Sequence, residues 1–178
     1  MSYKDSIKPI YTKLLGNAIR ERLEELNILQ NQIGIDEFDG EVELLSETTV
    51  AQIIKGKRNM SFNASLAFQT ALKCQTPKEL FFSTDKFKIQ LLSKIIKLIL
   101  RDDAFEGTSL KLTLSEKLGN TSITLDARIA DFMQLHQKQL FGSLSNFIPD
   151  FPEETTSYEI AEKVTDWLSE FACLISQF

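Results

Sequence analysis

Residues 46–58 read SETTVAQIIKGKR, and this stretch has the pattern of a short, capped helix. Ser46 can cap the start of the helix by accepting a hydrogen bond from a free backbone N–H. Three apolar residues then follow at the i, i+3, i+4 spacing of one buried stripe: Val50, Ile53 and Ile54. Gly56 can adopt the left-handed backbone that ends a helix. The pattern therefore predicts a helix over 46–55 with one apolar face and one polar face.

The polar face of this helix carries groups that can recognise DNA in the major groove. Gln52 pairs well with adenine, and a carboxylate can accept a bond from the cytosine amine. Base contacts are predicted for Glu47, Thr48, Thr49 and Gln52. Phosphate contacts are predicted for Lys55, Lys57 and Arg58, at the basic end of the helix. Two simpler interpretations stay open: a surface helix with a glycine cap, and a Thr49 hydroxyl that bonds only within its own helix.

Four further motifs occur in order around this helix, at 15–20, 27–34, 66–72 and 76–81. With the helix itself, they resemble the phage-repressor-type (Xre/Cro-like) helix-turn-helix family over residues 15–82. The resemblance implies a five-helix DNA-binding domain in which 46–55 is the recognition helix. It also implies that Gln30, on a second helix expected over 28–38, contacts a phosphate.

The turn before the predicted recognition helix is longer than the family pattern. Eleven residues separate Gly34 from Ser46, and the acidic insertion 36–45 includes Asp39, Glu41 and Glu43. Carboxylates beside a DNA-facing surface would repel phosphate. This departure leaves a second interpretation open: a protein-binding module, inhibitor or antitoxin-like, built on a degenerate helix-turn-helix fold.

The remainder of the chain is predicted to be helical, with amphipathic segments at 86–101, 110–118, 124–141 and 157–176. We therefore expect an all-α protein with a helix-turn-helix domain over 1–83 and a helical dimerisation or regulatory domain over 84–178. The apolar excess on 86–101, together with Trp167, Phe171 and Phe178, predicts a homodimer interface; internal packing is the alternative. A peptide or protein effector could bind this second domain.

Composition limits the other functions. The net charge of −5 over 178 residues argues against a general electrostatic binder of nucleic acid. His136 is the single histidine, and Cys74 and Cys173 lack metal-ligand spacing, so no catalytic residue, metal or cofactor is expected. Two cysteines and no long apolar run favour a cytoplasmic protein without a membrane span. The expected function is sequence-specific transcription regulation by a homodimer on double-stranded DNA.

Overall fold

The fold is all-α, as the sequence predicts. A computed structural model describes residues 3–35, 40, 44–149, 151–152 and 155–178. Over these residues the regular secondary structure consists of helices, with no strand. In the same part of the chain, no helix is both long enough and apolar enough to cross a membrane.

Nine α-helices and two short 3-10 turns are described. The helices are α1 (Tyr3–Glu25), α2 (Glu47–Ile54), α3 (Phe62–Ala71), α4 (Pro77–Phe81), α5 (Asp85–Arg101), α6 (Ser109–Leu118), α7 (Leu125–Phe147), α8 (Ser157–Asp166) and α9 (Leu168–Ile175). The 3-10 turns are Gln30–Gln32 and Asp103–Phe105. The single helix predicted over 157–176 is therefore two helices, which meet at Trp167.

Serine side chains cap the starts of α2 and α3, and Ser46 does so at the predicted position. Ser46 accepts a bond from the Thr49 N–H at 3.2 Å, and Ser61 does the same for Ala64 at 3.4 Å. Each cap satisfies one of the backbone donors that a helix start leaves unpaired. The local chemistry of the sequence thus determines where these helices begin.

The prediction of a helix over 28–38 is wrong for residues 28–35, the part of this span that the structure describes. Asn27 has a positive φ of 55° directly after α1, and Gly34 has a φ of 78°. Between them only the turn Gln30–Gln32 forms, and the Gln32 side chain accepts the Leu29 N–H at 2.9 Å. Asn27 ends α1 immediately before the predicted span, and the left-handed backbone of Gly34 interrupts the hydrogen-bond ladder that a helix over 28–38 would need.

The chain forms two compact units that are discontinuous in sequence. The α2 unit comprises Tyr11–Phe87 and Asp150–Ala161, and the α7 unit comprises Met1–Ile10, Lys88–Pro149 and Glu162–Phe178. The predicted division into 1–83 and 84–178 assigns three segments differently from these units: 1–10, 84–87 and 150–161. As a statement about independently folding domains, it stays a prediction.

In the α2 unit, an aromatic cluster joins α1 to the residues around α4. The Tyr11 hydroxyl is buried and donates to the Phe81 carbonyl at 3.0 Å. Burial raises the pKa of Tyr11 well above its usual value, so the hydroxyl stays protonated and available as a donor. Phe82 and Phe87 pack edge to face, with ring centroids 6.0 Å apart. This cluster anchors α1, the helix that carries Gly16 and Ile19. The end of α2 packs against α1 at Gly16.

In the α7 unit, the apolar residues that predicted a dimer interface are packed inside the chain. Trp167 and Phe171 are buried and stack with ring centroids 5.0 Å apart. The Trp167 indole N–H donates to the Ser143 hydroxyl at 3.0 Å. The main apolar positions of α5 in this unit are also buried: Leu91, Leu92, Ile95, Ile96 and Ile99. Internal packing, the alternative interpretation, accounts for these buried side chains, whereas Phe178 is only partly buried and stacks on His136. The homodimer stays a prediction.

Candidate nucleic-acid interface

Helix α2 has the two faces that its sequence predicts. Val50, Ile53 and Ile54 are buried, whereas Glu47, Thr48 and Gln52 are exposed and Thr49 is partly exposed. All four predicted base-contacting residues therefore lie on the side of α2 that is open to a partner. The helix is Glu47–Ile54, with Ser46 and Lys55 as its caps, which agrees with the predicted span 46–55.

The end of α2 is a complete Schellman motif. Gly56 has a φ of 67°, its N–H donates to the Ile53 carbonyl at 2.9 Å, and the Lys57 N–H donates to the Gln52 carbonyl at 2.9 Å. These two bonds satisfy carbonyls that a helix end leaves unpaired. The motif fixes the direction in which the basic residues after α2 leave the helix.

Two glycines hold the end of α2 directly against α1. A Cβ on Gly16 would lie 2.7 Å from the carbonyl oxygens of both Ile53 and Ile54, and a Cβ on Gly56 would lie 2.6 Å from the Lys13 Cα. The backbones of α1 and α2 thus approach more closely than any side chain would permit. The sequence predicted Gly56 at the end of the helix but did not predict this backbone contact. The feature that could have indicated it is a glycine, Gly16, within the apolar face of α1.

Arg58 turns back over the exposed face of α2. Its Nη1 donates to the Thr49 hydroxyl at 3.2 Å and to the Gln52 side-chain oxygen at 3.4 Å. The Ser46 hydroxyl also bonds to the Thr49 hydroxyl at 2.9 Å. The structure thus joins one residue predicted to contact phosphate with two residues predicted to contact bases. The local bonding considered for the Thr49 hydroxyl is present, and it extends to Arg58.

The other predicted phosphate contacts are exposed. Lys55 and Lys57 lie at the end of α2, beside the Arg58 network. Gln30 is exposed in the 3-10 turn Gln30–Gln32, which packs against α2. This turn replaces the expected second helix, so Gln30 lies on a turn and not on a helix. Its contact with a phosphate stays a prediction.

The acidic insertion begins and ends at one point beside α2. The Gly34 carbonyl accepts the N–H groups of Leu44 at 2.6 Å and Leu45 at 3.2 Å. A Cβ on Gly34 would lie 2.5 Å from the Leu45 Cβ. Asp39, Glu41 and Glu43 lie outside the described residues. These two bonds bring the residue before the insertion and the residues at its end together at Gly34.

The loop after Arg58 is held by the start of α8, a contact that the sequence did not predict. The buried Met60 N–H donates to the Ser157 hydroxyl at 2.8 Å, and the Ser157 N–H donates to the Met60 carbonyl at 3.2 Å. The same hydroxyl bonds to the Asn59 side-chain oxygen. Residues nearly a hundred positions apart in sequence thus fix the segment that immediately follows Arg58.

The α7 unit offers separate features for an effector. An open groove of about 390 Å³ is lined by Ile89, Ile129 and Met133 and by the Lys97–Asp126 ion pair, whose atoms are 2.6 Å apart. The hydrogen bond from Lys97, followed by its charge, lowers the pKa of Asp126. Within the described ranges, no group of three His, Cys, Asp or Glu side chains could hold a metal ion. An effector at this groove stays a prediction.

Comparisons with models of protein families, with curated proteins and with solved structures find no match to this chain. The resemblance to the phage-repressor-type family therefore stays a prediction that rests on the residues quoted for it.

Proposed function

We propose that this protein is a sequence-specific DNA-binding regulator in which α2 enters the major groove. The observation that supports the proposal best is the exposed polar face of α2, with Gln52, Thr49 and Arg58 joined in one hydrogen-bond network. A short helix that presents polar groups outward and ends in basic residues is the form used by helix-turn-helix proteins.

Three further features of the α2 unit are consistent with this function. The end of α2 packs directly on the backbone of α1 at Gly16, and base recognition is best served by a helix held in place by the fold. Lys55 and Lys57 are exposed at the basic end of α2, and lysines there are suited to contact phosphates. Within α2 itself, Glu47 is the one residue with a carboxylate.

The proposal includes a two-fold dimer in the cytoplasm, acting on paired half-sites. A single helix of eight residues reads few base pairs, and dimers extend the site across successive turns of DNA. Because the large apolar residues of α5 and α9 are internal, the dimer surface would be formed by other residues.

The test is DNA binding measured by fluorescence anisotropy across a salt series. We expect binding that weakens steeply with salt, as phosphate contacts require, and that is lost in a Lys57→Glu, Arg58→Glu variant. A Lys94→Glu, Lys138→Glu variant has the same net charge and alters exposed residues of the α7 unit, so it serves as the matched control. Equal binding by both variants would show that the basic end of α2 does not contact DNA.

A protein-binding module, inhibitor or antitoxin-like, is the second candidate, and one observation favours it. Leu29 and Leu44 are 63% and 60% exposed; Leu29 precedes the insertion, and Leu44 lies near its end, just before α2. Exposed apolar side chains that form one patch are typical of a protein contact. This candidate predicts no DNA selection, together with a stable complex that Leu29→Ser and Leu44→Ser disrupt.

A further inference from the structure

The bond between Arg58 and Gln52 determines which atoms the α2 face can present to a base. The guanidinium has five N–H donors and no acceptor. The Gln52 atom that faces Arg58 Nη1 at 3.4 Å must therefore be the oxygen Oε1, which leaves the amide nitrogen Nε2 with its two N–H groups on the other side. The contact with Arg58 thus determines which way the Gln52 amide is oriented.

This arrangement places hydrogen-bond donors on both members of the pair. Gln52 is exposed and directs Nε2 away from Arg58. Arg58 is also exposed, and Nη1 makes the bonds to Thr49 and Gln52, so the N–H groups of Nη2 and Nε are not used in this network. The outer surface of the pair is therefore rich in donors and positively charged.

Guanine and adenine differ at the atoms that such a surface would meet. In the major groove guanine offers two acceptors, O6 and N7, whereas adenine offers the N7 acceptor and the N6 amine donor. The usual pairing of glutamine with adenine needs Oε1 to accept from that amine. Here one lone pair of Oε1 already accepts from the Arg58 guanidinium. An adenine amine that approached the other lone pair would meet the guanidinium N–H groups beside it, donor against donor.

We infer that the base read by the Gln52–Arg58 pair is guanine, and that Arg58 sets this preference by orienting the Gln52 amide. The inference rests on the proposed function, since it names the base that α2 selects. It replaces the adenine preference expected for Gln52 considered alone, and it makes Arg58 a specificity-determining residue as well as a phosphate contact.

The test is selection from a randomised duplex library, followed by sequencing, for the wild type and three variants. The base position read by the pair is defined as the one whose preference is relaxed by Gln52→Ala. At that position the wild type should select guanine over adenine by about tenfold or more, within the range of a good base contact. Arg58→Ala removes the guanidinium beside Oε1. This oxygen can then accept from the adenine amine, so the selection should shift towards adenine.

Lys57→Ala is the matched control, because it removes the same charge from the adjacent residue and leaves Gln52 bonded to Arg58. This variant should bind all sequences more weakly and keep the guanine preference. Replacing the selected guanine by 7-deazaguanine, which lacks the N7 acceptor, should weaken wild-type binding by about tenfold.

The outcomes separate the inference from the function on which it rests. A specific site with adenine at the defined position, or an Arg58→Ala variant with unchanged base preferences, would overturn the inference and leave DNA binding intact. A library from which the wild type selects no sequence would overturn the proposed function, and the inference with it.

Discussion

The backbone of Gly16 on α1 lies directly against the backbone of Ile53 on α2: a Cβ added to Gly16 would come within 2.7 Å of the Ile53 carbonyl oxygen. Contacts of this kind have no side chain that can move aside. The position of α2 therefore depends on the absence of a single methyl group on α1.

Gly16→Ala should destabilise the protein by about 1–3 kcal/mol, the usual cost of forcing an extra carbon into a packed interior. Gly142→Ala is the control, because Gly142 also lies within a helix but a Cβ there would meet nothing within 4 Å. That variant should be stabilised by roughly 0.5–1 kcal/mol, since alanine is the better helix former. Urea denaturation measures both changes, and equal effects would show that the close approach is unimportant.

Ser157→Ala should lower the free energy of unfolding by about 1–3 kcal/mol, because the buried Met60 N–H would lose its acceptor. Ser115→Ala removes an exposed hydroxyl that bonds within its own helix, so its effect should be near zero. Thermal and chemical denaturation give both values. If the two variants were equally stable, the contact between Ser157 and Met60 would contribute nothing measurable.

Neutralising the acidic insertion should strengthen DNA binding. Asp39→Asn, Glu41→Gln and Glu43→Gln together remove three negative charges from the segment that precedes α2 in the sequence. The gain should be larger at low salt because repulsion of phosphate is then less screened. The control neutralises three exposed carboxylates of the α7 unit: Glu116, Asp131 and Glu170. Anisotropy titrations compare the two variants. Equal gains would show that only net charge matters.

His136 should make the stability of the fold depend on pH. Its ring stacks on Phe178, with centroids 3.9 Å apart, and burial, followed by the charge of Lys117, lowers its pKa below 6.5. The unfolded chain therefore takes up this proton at a higher pH than the folded chain does. The stability contributed by neutral His136 is present above about pH 6.5 and is lost as the pH falls below that value.

A His136→Phe variant isolates this effect, because it keeps an aromatic ring and removes the titrating group. Between about pH 7.5 and 5.5, a range that spans the ordinary histidine pKa, the wild type should lose more unfolding free energy than the variant. Identical pH profiles would show that His136 does not report on folding.

Local signals in the sequence were sufficient for most helices and for the faces of α2. Ser46, Gly56 and the spacing of Val50, Ile53 and Ile54 define that helix from within thirteen residues. Long-range contacts were not predictable, because no local pattern links Ser157 to Met60 or Gly16 to Ile53. The helix expected over 28–38 was wrong because two left-handed residues outweighed its apolar spacing.

The candidate site was predicted as a set of residues but not as a network. The sequence placed Thr49, Gln52 and Arg58 near one another, on a helix and just after it. It assigned Arg58 to a phosphate, since a basic residue after a helix is normally free to extend. The return of Arg58 over α2 depends on the Schellman turn at Gly56 and on the loop held by Ser157, which only the folded chain reveals.

The most direct test of the central claim is genomic selection: purified protein mixed with sheared DNA of its source at near-physiological salt, with the bound fragments sequenced. The wild type should enrich a two-fold-related site, and a Gln52→Ala, Arg58→Ala double variant should not. Absence of enrichment above background by the wild type would contradict DNA recognition through α2 and favour a protein partner at that surface.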